Sequence, residues 1–352
     1  MPSGGSRGSL EMDAPLFTVL LPVNRPPELL PLAVESVLAQ SEPRFELFIV
    51  CDGPPRATVA CAEDWAARDP RIRVFDLPKG ERHGEAHRHR ALAEARGAYV
   101  AQLGDDDLWF PDHLLELASL LDRADFGNLI QADIAPDGAV HAHPGDLADP
   151  AVREAMLTTA WNFFGPSCAG YRLEAYRRLP VGWSPAPPDV WTDLFMWRKF
   201  LARADLTFAT RPAVQCARLP ASLRLHLTPA ERAAENHAAA ARFASRRGRA
   251  DFQAAALASW NAGTLAWKLG PMLAAAAGQD AQLRELRREH EVAVAQQEQR
   301  WQALQQARDV ALSREMEQAR AWRQAYETVL ASTSWKITAP LRGIARALGR
   351  RA

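Results

Sequence analysis

Cysteine is scarce in this 352-residue chain, and the four cysteines form no Cys-x-x-Cys pair. This spacing argues against a zinc site and a disulfide scaffold, and it favours a reducing compartment. Net charge is lacking as well, because 42 basic residues balance 42 acidic ones, so no overall field favours nucleic acid. The sequence also has no apolar run of about 18 to 20 residues, so it predicts no membrane-spanning helix.

Two nucleotide-binding motifs are missing. The chain has neither Gly-x-Gly-x-x-Gly nor Gly-x-x-x-x-Gly-Lys-Ser/Thr, so neither a Rossmann dinucleotide site nor a P-loop is supported. Residues 1–14 are rich in glycine and serine and lack an apolar segment, which predicts a flexible leader rather than a signal peptide. The length is sufficient for two domains, or for one large domain with an appendage.

Short apolar runs alternate with helical patterns over the first third of the chain. We expect helices after Pro26 and Pro27, over residues 85–96 and from near Pro111. The apolar runs predict four strands, over residues 17–21, 45–50, 72–75 and 98–103. This alternation predicts βαβ units, and therefore an α/β fold with a mostly parallel sheet.

Acidic side chains follow two of these strands. Asp52 comes directly after the second strand, and Asp105, Asp106 and Asp107 come after the fourth. Ligands of open α/β sheets bind at the edge formed by the carboxyl ends of the strands. Oxygen ligands favour Mg²⁺, Mn²⁺ or Ca²⁺, so the triplet predicts a cation site. The alternative is a solvated turn followed by a helix N-terminus, where aspartate is also favoured.

Residues 16 to about 215 resemble the family 2 glycosyltransferases of GT-A fold, which are inverting enzymes that use nucleotide sugars. Four segments in the family's order carry the resemblance: Pro22-Val23-Asn24-Arg25 with Ser36 to Gln40; Cys51-Asp52-Gly53; His87-Arg88-His89 before Gly97; and the aspartate triplet before Trp109 and Pro111. The chain departs from the family at Cys51, His89 and Gly104, where many members have Asp, Asn and Asp.

The resemblance implies a role for individual residues. It implies that the nucleotide sugar is bound by Pro22, Val23, Asn24, Asp52, Arg88 and Asp105. Among these, Asp52 would bind the base and Arg88 the diphosphate. Asp105 would bind the ribose or support the metal ligands without touching the metal. It implies a Mn²⁺ or Mg²⁺ ion on Asp106, with Asp107 as a second ligand or as a helix cap.

Asp193 stands at the start of a predicted helix, behind a proline-rich loop. The family has its catalytic base at this position, so the resemblance implies that Asp193 takes the proton of the acceptor hydroxyl. The alternative is a helix N-cap, worth about 1 kcal/mol. The aromatic loop 161–167 is expected to belong either to the core or to an acceptor site. The pairs His87/His89 and His141/His143 are read as non-metal residues, since neither has an obvious third ligand.

The composition changes after the predicted glycosyltransferase domain, which we place at residues 15–227. Residues 228–278 predict a helical appendage, and 279–331 a long helix that forms an imperfect coiled coil or binds a partner. Residues 332–352 predict a basic amphipathic tail that lies on a membrane surface, with Trp335 at the interface. The alternative for the tail is a basic helix packed on its own domain.

These observations predict an inverting, metal-dependent glycosyltransferase that builds a cell-surface polysaccharide or glycoconjugate. Its expected partners are a nucleotide-sugar donor, a glycan or lipid-linked acceptor, the membrane surface and a second copy of the chain through the coiled coil, but not nucleic acid. The expected location is the cytoplasm, at the inner face of the cell membrane. A nucleotidyltransferase is disfavoured because Pro22 to Pro26 stand where a glycine-rich basic loop is needed. A degenerate GT-A scaffold that organises other transferases is the remaining alternative.

Overall fold

The computed structural model describes residues 14–277 and 280–332. The chain divides into two compact units between Gly270 and Pro271. Among its described residues, the first unit contains eleven strands in two sheets, with helices on both faces of the larger one. The second unit contains the end of one helix and the whole of a second, longer helix. No helix in the part of the chain described here has both the length and the apolar character that a membrane crossing requires.

Seven strands form the larger sheet, in the order β10-β6-β9-β4-β1-β2-β3. Neighbouring strands are parallel except for β9, which runs antiparallel to both β4 and β6. The strands are β1 (Phe17–Val23), β2 (Phe45–Asp52), β3 (Ile72–Leu77), β4 (Tyr99–Gln102), β6 (Phe126–Leu129), β9 (Ala169–Arg172) and β10 (Phe208–Arg211). The predicted α/β class with a mostly parallel sheet is confirmed.

A second sheet of four strands begins at the aspartate triplet. Its order is β5-β11-β7-β8, and its strands are β5 (Asp107–Trp109), β7 (Ala132–Ile134), β8 (Val140–Ala142) and β11 (Cys216–Arg218). Ile130 and Gln131 separate β6 in the first sheet from β7 in the second.

Seven helices connect the strands of the first unit. They are α1 (Leu30–Leu38), α2 (Arg56–Arg68), α3 (Glu85–Leu92), α4 (His113–Leu121), α5 (Pro150–Thr158), α6 (Leu173–Arg177) and α7 (Thr192–Leu201). Helix α3 ends four residues earlier than predicted. The backbone N–H groups of Arg96 and Gly97 donate instead to the side chains of Glu46 and Thr18, at 2.6 and 3.0 Å.

Strand β1 extends beyond its predicted end and includes Pro22. It pairs with β2 along its whole length but with β4 only over residues 17–20. Pro22 has no N–H, so it is tolerated where a strand has a partner on one side only.

Within residues 229–277 and 280–332, the structure has three helices: α8 (Pro229–Ala244), α9 (Arg246–Ala277) and α10 (Asp280–Ala331). Helix α8 begins with a capping box, in which Thr228 Oγ1 accepts from the Glu231 N–H and the Glu231 carboxylate accepts from the Thr228 N–H. Phe243 of α8 and Phe252 of α9 are buried against Phe110, which fixes α8 beside the aspartate triplet.

Candidate active site

A cleft of about 440 Å³ opens at the carboxyl ends of β1, β2 and β4. This volume lies within the range of roughly 300 to 1,000 Å³ that is typical of small-molecule sites. Eight of the nine residues predicted for the site line this one cleft: Pro22, Val23, Asn24, Asp52, Arg88, Asp105, Asp106 and Asp193. The ninth, Asp107, points to the other side of the triplet, into the second sheet.

Asp52 ends β2 and is almost completely buried. Its Oδ1 accepts from the Gly80 N–H at 2.6 Å, and its Oδ2 is 2.5 Å from Lys79 Nζ. A Cβ on Gly84, whose φ is +69°, would lie 2.6 Å from Asp52 Cγ, so only glycine permits this approach of the loop. The chain itself therefore holds both carboxylate oxygens, and a nucleotide base would have to share them.

Arg88 lies on α3 with only 6% of its surface exposed. Its guanidinium stacks on the Trp183 ring at 4.8 Å, and its Nη2 donates to the His83 carbonyl at 2.7 Å. Burial lowers the pKa of Arg88, although nearby carboxylates such as Glu85 oppose the shift. The buried Nε has no hydrogen-bond partner among the described residues, so one guanidinium N–H is left without an acceptor.

Asp105 is buried at the end of β4, beside Arg25. Its Oδ2 is 3.3 Å from Arg25 Nε, close enough for an ion pair but without hydrogen-bond alignment to any described group. Burial raises the pKa of Asp105 to about 7, with Arg25 acting in the opposite direction. A buried acceptor without a donor is costly, so this oxygen favours a ligand hydroxyl.

Two arginines converge on Asp106. Its Oδ2 accepts from Arg25 Nη1 at 2.9 Å and from Arg232 Nη2 at 2.8 Å, and its backbone carbonyl accepts from Asn236 Nδ2 at 2.8 Å. Burial favours the protonated acid, but the two guanidinium groups outweigh it and hold the pKa of Asp106 below its usual range. Asp106 is therefore a carboxylate that is already neutralised by protein cations.

Asp107 opens β5 and belongs to a separate network. Its Oδ2 accepts from Ser167 Oγ at 2.5 Å and from Arg218 Nε at 3.1 Å, and Arg218 also bonds Asp133 at 3.2 Å. Burial raises the pKa of Asp107 to about 6, against the opposing effect of Arg218. The network links β5, β7 and β11 of the second sheet to Ser167, which lies just before β9. The alternative of a helix cap is wrong, because α4 begins after Asp112.

These residues do not fit a divalent cation in the arrangement that they adopt. Every aspartate of the triplet already contacts a guanidinium group, whereas Mg²⁺ or Mn²⁺ needs carboxylate oxygens that are free to coordinate it. Within residues 14–277 and 280–332, no three His, Cys, Asp or Glu side chains form a group suited to a metal ion. The metal ion on Asp106 and Asp107 thus stays a prediction, and we derive no chemical step from it.

Asp193 lies in the first turn of α7, on the wall of the cleft. Its Oδ1 accepts from the Leu194 N–H at 2.8 Å and its Oδ2 from Asn162 Nδ2 at 3.1 Å. The helix cap alternative is wrong, since Trp191 occupies the N-cap position. Burial raises the pKa of Asp193, and hydrogen bonds to the carboxylate only partly offset the shift, which makes it a stronger base than an exposed aspartate.

The predicted histidine pairs and the aromatic loop have other contacts. His87 Nε2 is 2.8 Å from the Pro78 carbonyl, His89 Nδ1 is 2.7 Å from the Tyr176 hydroxyl, and His143 Nε2 is 2.9 Å from Asp133 Oδ2. In the loop, Phe163 and Phe164 are buried in the core.

Sequence reasoning missed several residues of the site. Arg218 and Arg232 lie 111 and 126 residues from the aspartates that they contact, so no local pattern pairs them. Trp191, 57% exposed, lines the cleft beside Asp193. Arg25 belonged to a segment that carried the resemblance, but it was assigned no role. Its position directly after β1, at the sheet edge where the acidic triplet also lies, could have indicated an ion pair.

Comparison with known proteins gives three findings. Residues 18–179 match the model of glycosyl transferase family 2. The chain is 29% identical over 150 residues to TuaG of Bacillus subtilis, provisionally named a teichuronic acid biosynthesis glycosyltransferase, covering 41% of this chain and 59% of TuaG. It is 36% identical over 92 residues to the succinoglycan biosynthesis protein ExoO of Rhizobium meliloti, covering 26% of each.

Among solved structures, S. aureus TarS 1-349 aligns with a TM-score of 0.48 and 13% identity, over 72% of this chain and 91% of that chain. The chain spans less than two thirds of the length of both curated relatives, TuaG and ExoO.

Proposed function

Because residues 18–179 belong to glycosyltransferase family 2, we propose that this protein transfers a sugar from a nucleotide-sugar donor to a glycan acceptor, with inversion at the sugar carbon. One observation carries the proposal. A buried carboxylate with a raised pKa, Asp193, and a buried arginine with an unpartnered N–H, Arg88, line the same cleft at the carboxyl edge of a parallel sheet. An acid–base group and an anion-binding group are what this transfer requires.

The proposed reaction is a single displacement. The acceptor hydroxyl oxygen attacks the sugar carbon while its proton passes to an oxygen of Asp193. The bond between that carbon and the diphosphate oxygen breaks, and the nucleoside diphosphate leaves with the electron pair. Arg88 stabilises the charge that develops on the leaving diphosphate. Asp193 must be ionised to begin this step, and Asn162 Nδ2 orients its carboxylate by donating to Oδ2.

Donor recognition is proposed to involve the remaining residues of the cleft. Asp52 contacts the base, Asp105 accepts from a ribose hydroxyl, and Pro22, Val23 and Asn24 form the wall at the end of β1. The unpartnered Oδ2 of Asp105 supports its role, since a ribose hydroxyl supplies the donor that this oxygen lacks. Mn²⁺ or Mg²⁺, on Asp106 and Asp107, would bind only after the three arginines have released these carboxylates.

The acceptor is proposed to be a growing cell-surface polysaccharide or glycoconjugate, at the inner face of the membrane. The names of TuaG and ExoO, which refer to teichuronic acid and succinoglycan biosynthesis, support this class of product. The exposed indole of Trp191, beside Asp193, offers a flat apolar surface for a sugar ring at the position where an acceptor hydroxyl must arrive.

Titration calorimetry with UDP, dTDP and GDP on the full chain tests the donor site. We expect one nucleotide to bind, and Arg88→Lys to weaken it at least tenfold because lysine keeps the charge but loses the planar fork. Arg90→Lys, on the exposed side of α3, is the matched control and should bind like the unaltered chain. If none of the three nucleotides binds to the folded chain, with or without Mn²⁺, the proposal fails and the scaffold alternative is supported.

A further inference from the structure

Helix α8 brings a basic side chain from outside the matched family segment to the aspartate triplet. Arg232 and Asn236 lie one turn apart on α8, and they bond the Asp106 carboxylate and the Asp106 carbonyl, both at 2.8 Å. The side chain of Arg232 is only 16% exposed. Its position depends on the capping box at Thr228 and on the buried Phe243, so the helix holds the guanidinium rigidly over Asp106.

Arg25 reaches the same carboxylate oxygen from the opposite end of the sequence. It follows β1, and its Nη1 and Nε are 2.9 and 3.3 Å from Asp106 Oδ2 and Asp105 Oδ2. Two guanidinium groups that share one carboxylate oxygen repel each other, so the arrangement favours a further anion close by. Both arginines also line a second cavity of about 260 Å³, which adjoins the first at Arg25.

Three arginines that line the cleft or the adjoining cavity have unused hydrogen-bond donors. The Nε atoms of Arg82, Arg88 and Arg232 are buried, and none has a partner in the described part of the chain. Arg82 lines the cleft and is the one non-glycine residue with a positive φ, +54°, among the described residues. A strained backbone and a buried N–H without an acceptor both destabilise the fold. A ligand rich in acceptor oxygens would satisfy these N–H groups.

We infer that in this chain Arg25 and Arg232 take the place of the predicted divalent cation, and that the donor's diphosphate is bound by arginine without a metal. The inference rests on the proposed glycosyl transfer and concerns its leaving group. A cation assists such a transfer by neutralising the departing diphosphate. A pair of guanidinium groups supplies the same charge and adds bidentate hydrogen bonds to phosphate oxygens. Gly104 is consistent with this assignment, because the aspartate that many family members have there is absent.

The test is titration calorimetry of the full chain with UDP, dTDP and GDP, in excess EDTA and in excess Mn²⁺. We expect the nucleotide that binds to have the same Kd within about twofold in both buffers. Arg232→Gln should weaken binding at least tenfold in EDTA, since charge-assisted hydrogen bonds to phosphate are lost. Arg242→Gln, on the exposed surface of the same helix, should leave the Kd unchanged. Thermal unfolding of both variants checks that α8 stays folded.

The outcomes separate this inference from the proposed function. Nucleotide binding that requires Mn²⁺, or binding that Arg232→Gln does not weaken, overturns the arginine assignment. The proposed glycosyltransferase function would still stand. Absence of nucleotide binding in both buffers removes the proposed function itself.

A second measurement does not depend on the nucleotide. Electron paramagnetic resonance of added Mn²⁺ should show the free ion in the presence of the unaltered chain and bound ion with Arg25→Gln/Arg232→Gln, because Asp105 and Asp106 then lose their counterions. Tight Mn²⁺ binding by the unaltered chain would contradict the inference.

Discussion

Individual carboxylates of the cleft differ because their neighbours differ. Asp105, Asp106 and Asp107 are consecutive, yet the pKa is raised at the first and third and lowered at the second. Burial acts on all three in the same direction, and only Asp106 has two guanidinium groups on one oxygen. The sequence identifies the three aspartates. It does not show which arginines lie next to them in space, and these neighbours give the aspartates separate roles.

The proposed base can be tested through its pH dependence. Burial raises the pKa of Asp193, so kcat should fall on the acid side at a higher pH than an ordinary aspartate would produce. Asp193→Asn should lower kcat by about 10² to 10⁴ and abolish this acid limb, while the nucleotide Kd stays within about twofold. Asp189→Asn, four residues earlier and exposed, is the control. An acid limb that persists unchanged in Asp193→Asn would show that another group is the base.

Asp105 should make the fold less stable at neutral pH than in mild acid. Its pKa rises from 3.8 to about 7 on folding, so the folded chain retains a proton that the unfolded chain loses. The free energy of unfolding should therefore fall between about pH 4 and pH 7. Asp105→Asn should remove this loss, which is on the order of 4 kcal/mol for about three pH units at about 1.4 kcal/mol each.

Urea unfolding at pH 5 and pH 8 measures this difference. Asp64→Asn, an exposed aspartate of α2, should show the pH dependence of the unaltered chain. Equal stability of Asp105→Asn and the unaltered chain at pH 8 would mean that Asp105 is stabilised as a carboxylate.

At the scale of elements, the local sequence pattern predicts the strands of the sheet well, but it predicts less well where strands and helices begin and end. The runs that became β1, β2 and β4 are apolar because these strands are buried, whereas the edge strand β3 is buried only at Ile72 and Leu77. Apolar runs and turn residues located all four strands. Helix α1 begins at Leu30 rather than after Pro26 and Pro27, and α3 ends at Leu92. Such ends depend on tertiary hydrogen bonds, such as that from Gly97 N–H to Thr18 Oγ1, which no local window contains.

The cap of α8 provides a prediction at this scale. Thr228→Ala removes the side chain that accepts from the Glu231 N–H, at a cost of about 1 kcal/mol. The first turn of α8 should then exchange its amide protons faster, and the nucleotide should bind more weakly because Arg232 closes that turn, its N–H donating to the Thr228 carbonyl.

Hydrogen exchange and calorimetry on the same sample test both effects. Ser245→Ala removes a comparable bond, from the Gly248 N–H at the start of α9, and should leave nucleotide affinity unchanged. Faster exchange in α8 with unaltered nucleotide affinity would show that the cap of α8 does not affect the nucleotide site.

At the scale of the whole molecule, the second unit differs in its surface from the first. Helix α10 has 52 residues, so it is about 78 Å long. Trp301, Leu304, Trp322 and Tyr326 are each more than half exposed on it. Large apolar side chains that remain exposed are typical of surfaces that bind another protein or another copy of the chain. The predicted coiled coil therefore stays a prediction about association.

The basic tail, predicted over residues 332–352, lies outside the described residues except for Ser332. Its five cationic residues, Lys336, Arg342, Arg346, Arg350 and Arg351, are each worth roughly 1 kcal/mol near an anionic surface. The full chain should therefore sediment with vesicles that contain anionic lipid, and a chain that ends at Ala331 should stay in solution.

Salt distinguishes the contribution of the tail's charges to membrane binding from the contribution of its apolar side chains. The charged contribution should weaken as ionic strength rises from about 0.05 to 0.5 M, because screening shortens the reach of the tail's charges. Substituting glutamine for the four tail arginines should imitate high salt, whereas Ile337→Ser should weaken binding at every salt concentration because it removes apolar contact. Binding that the truncated chain retains in full would assign membrane contact to another surface, and the basic helix would then be free to pack on its own domain.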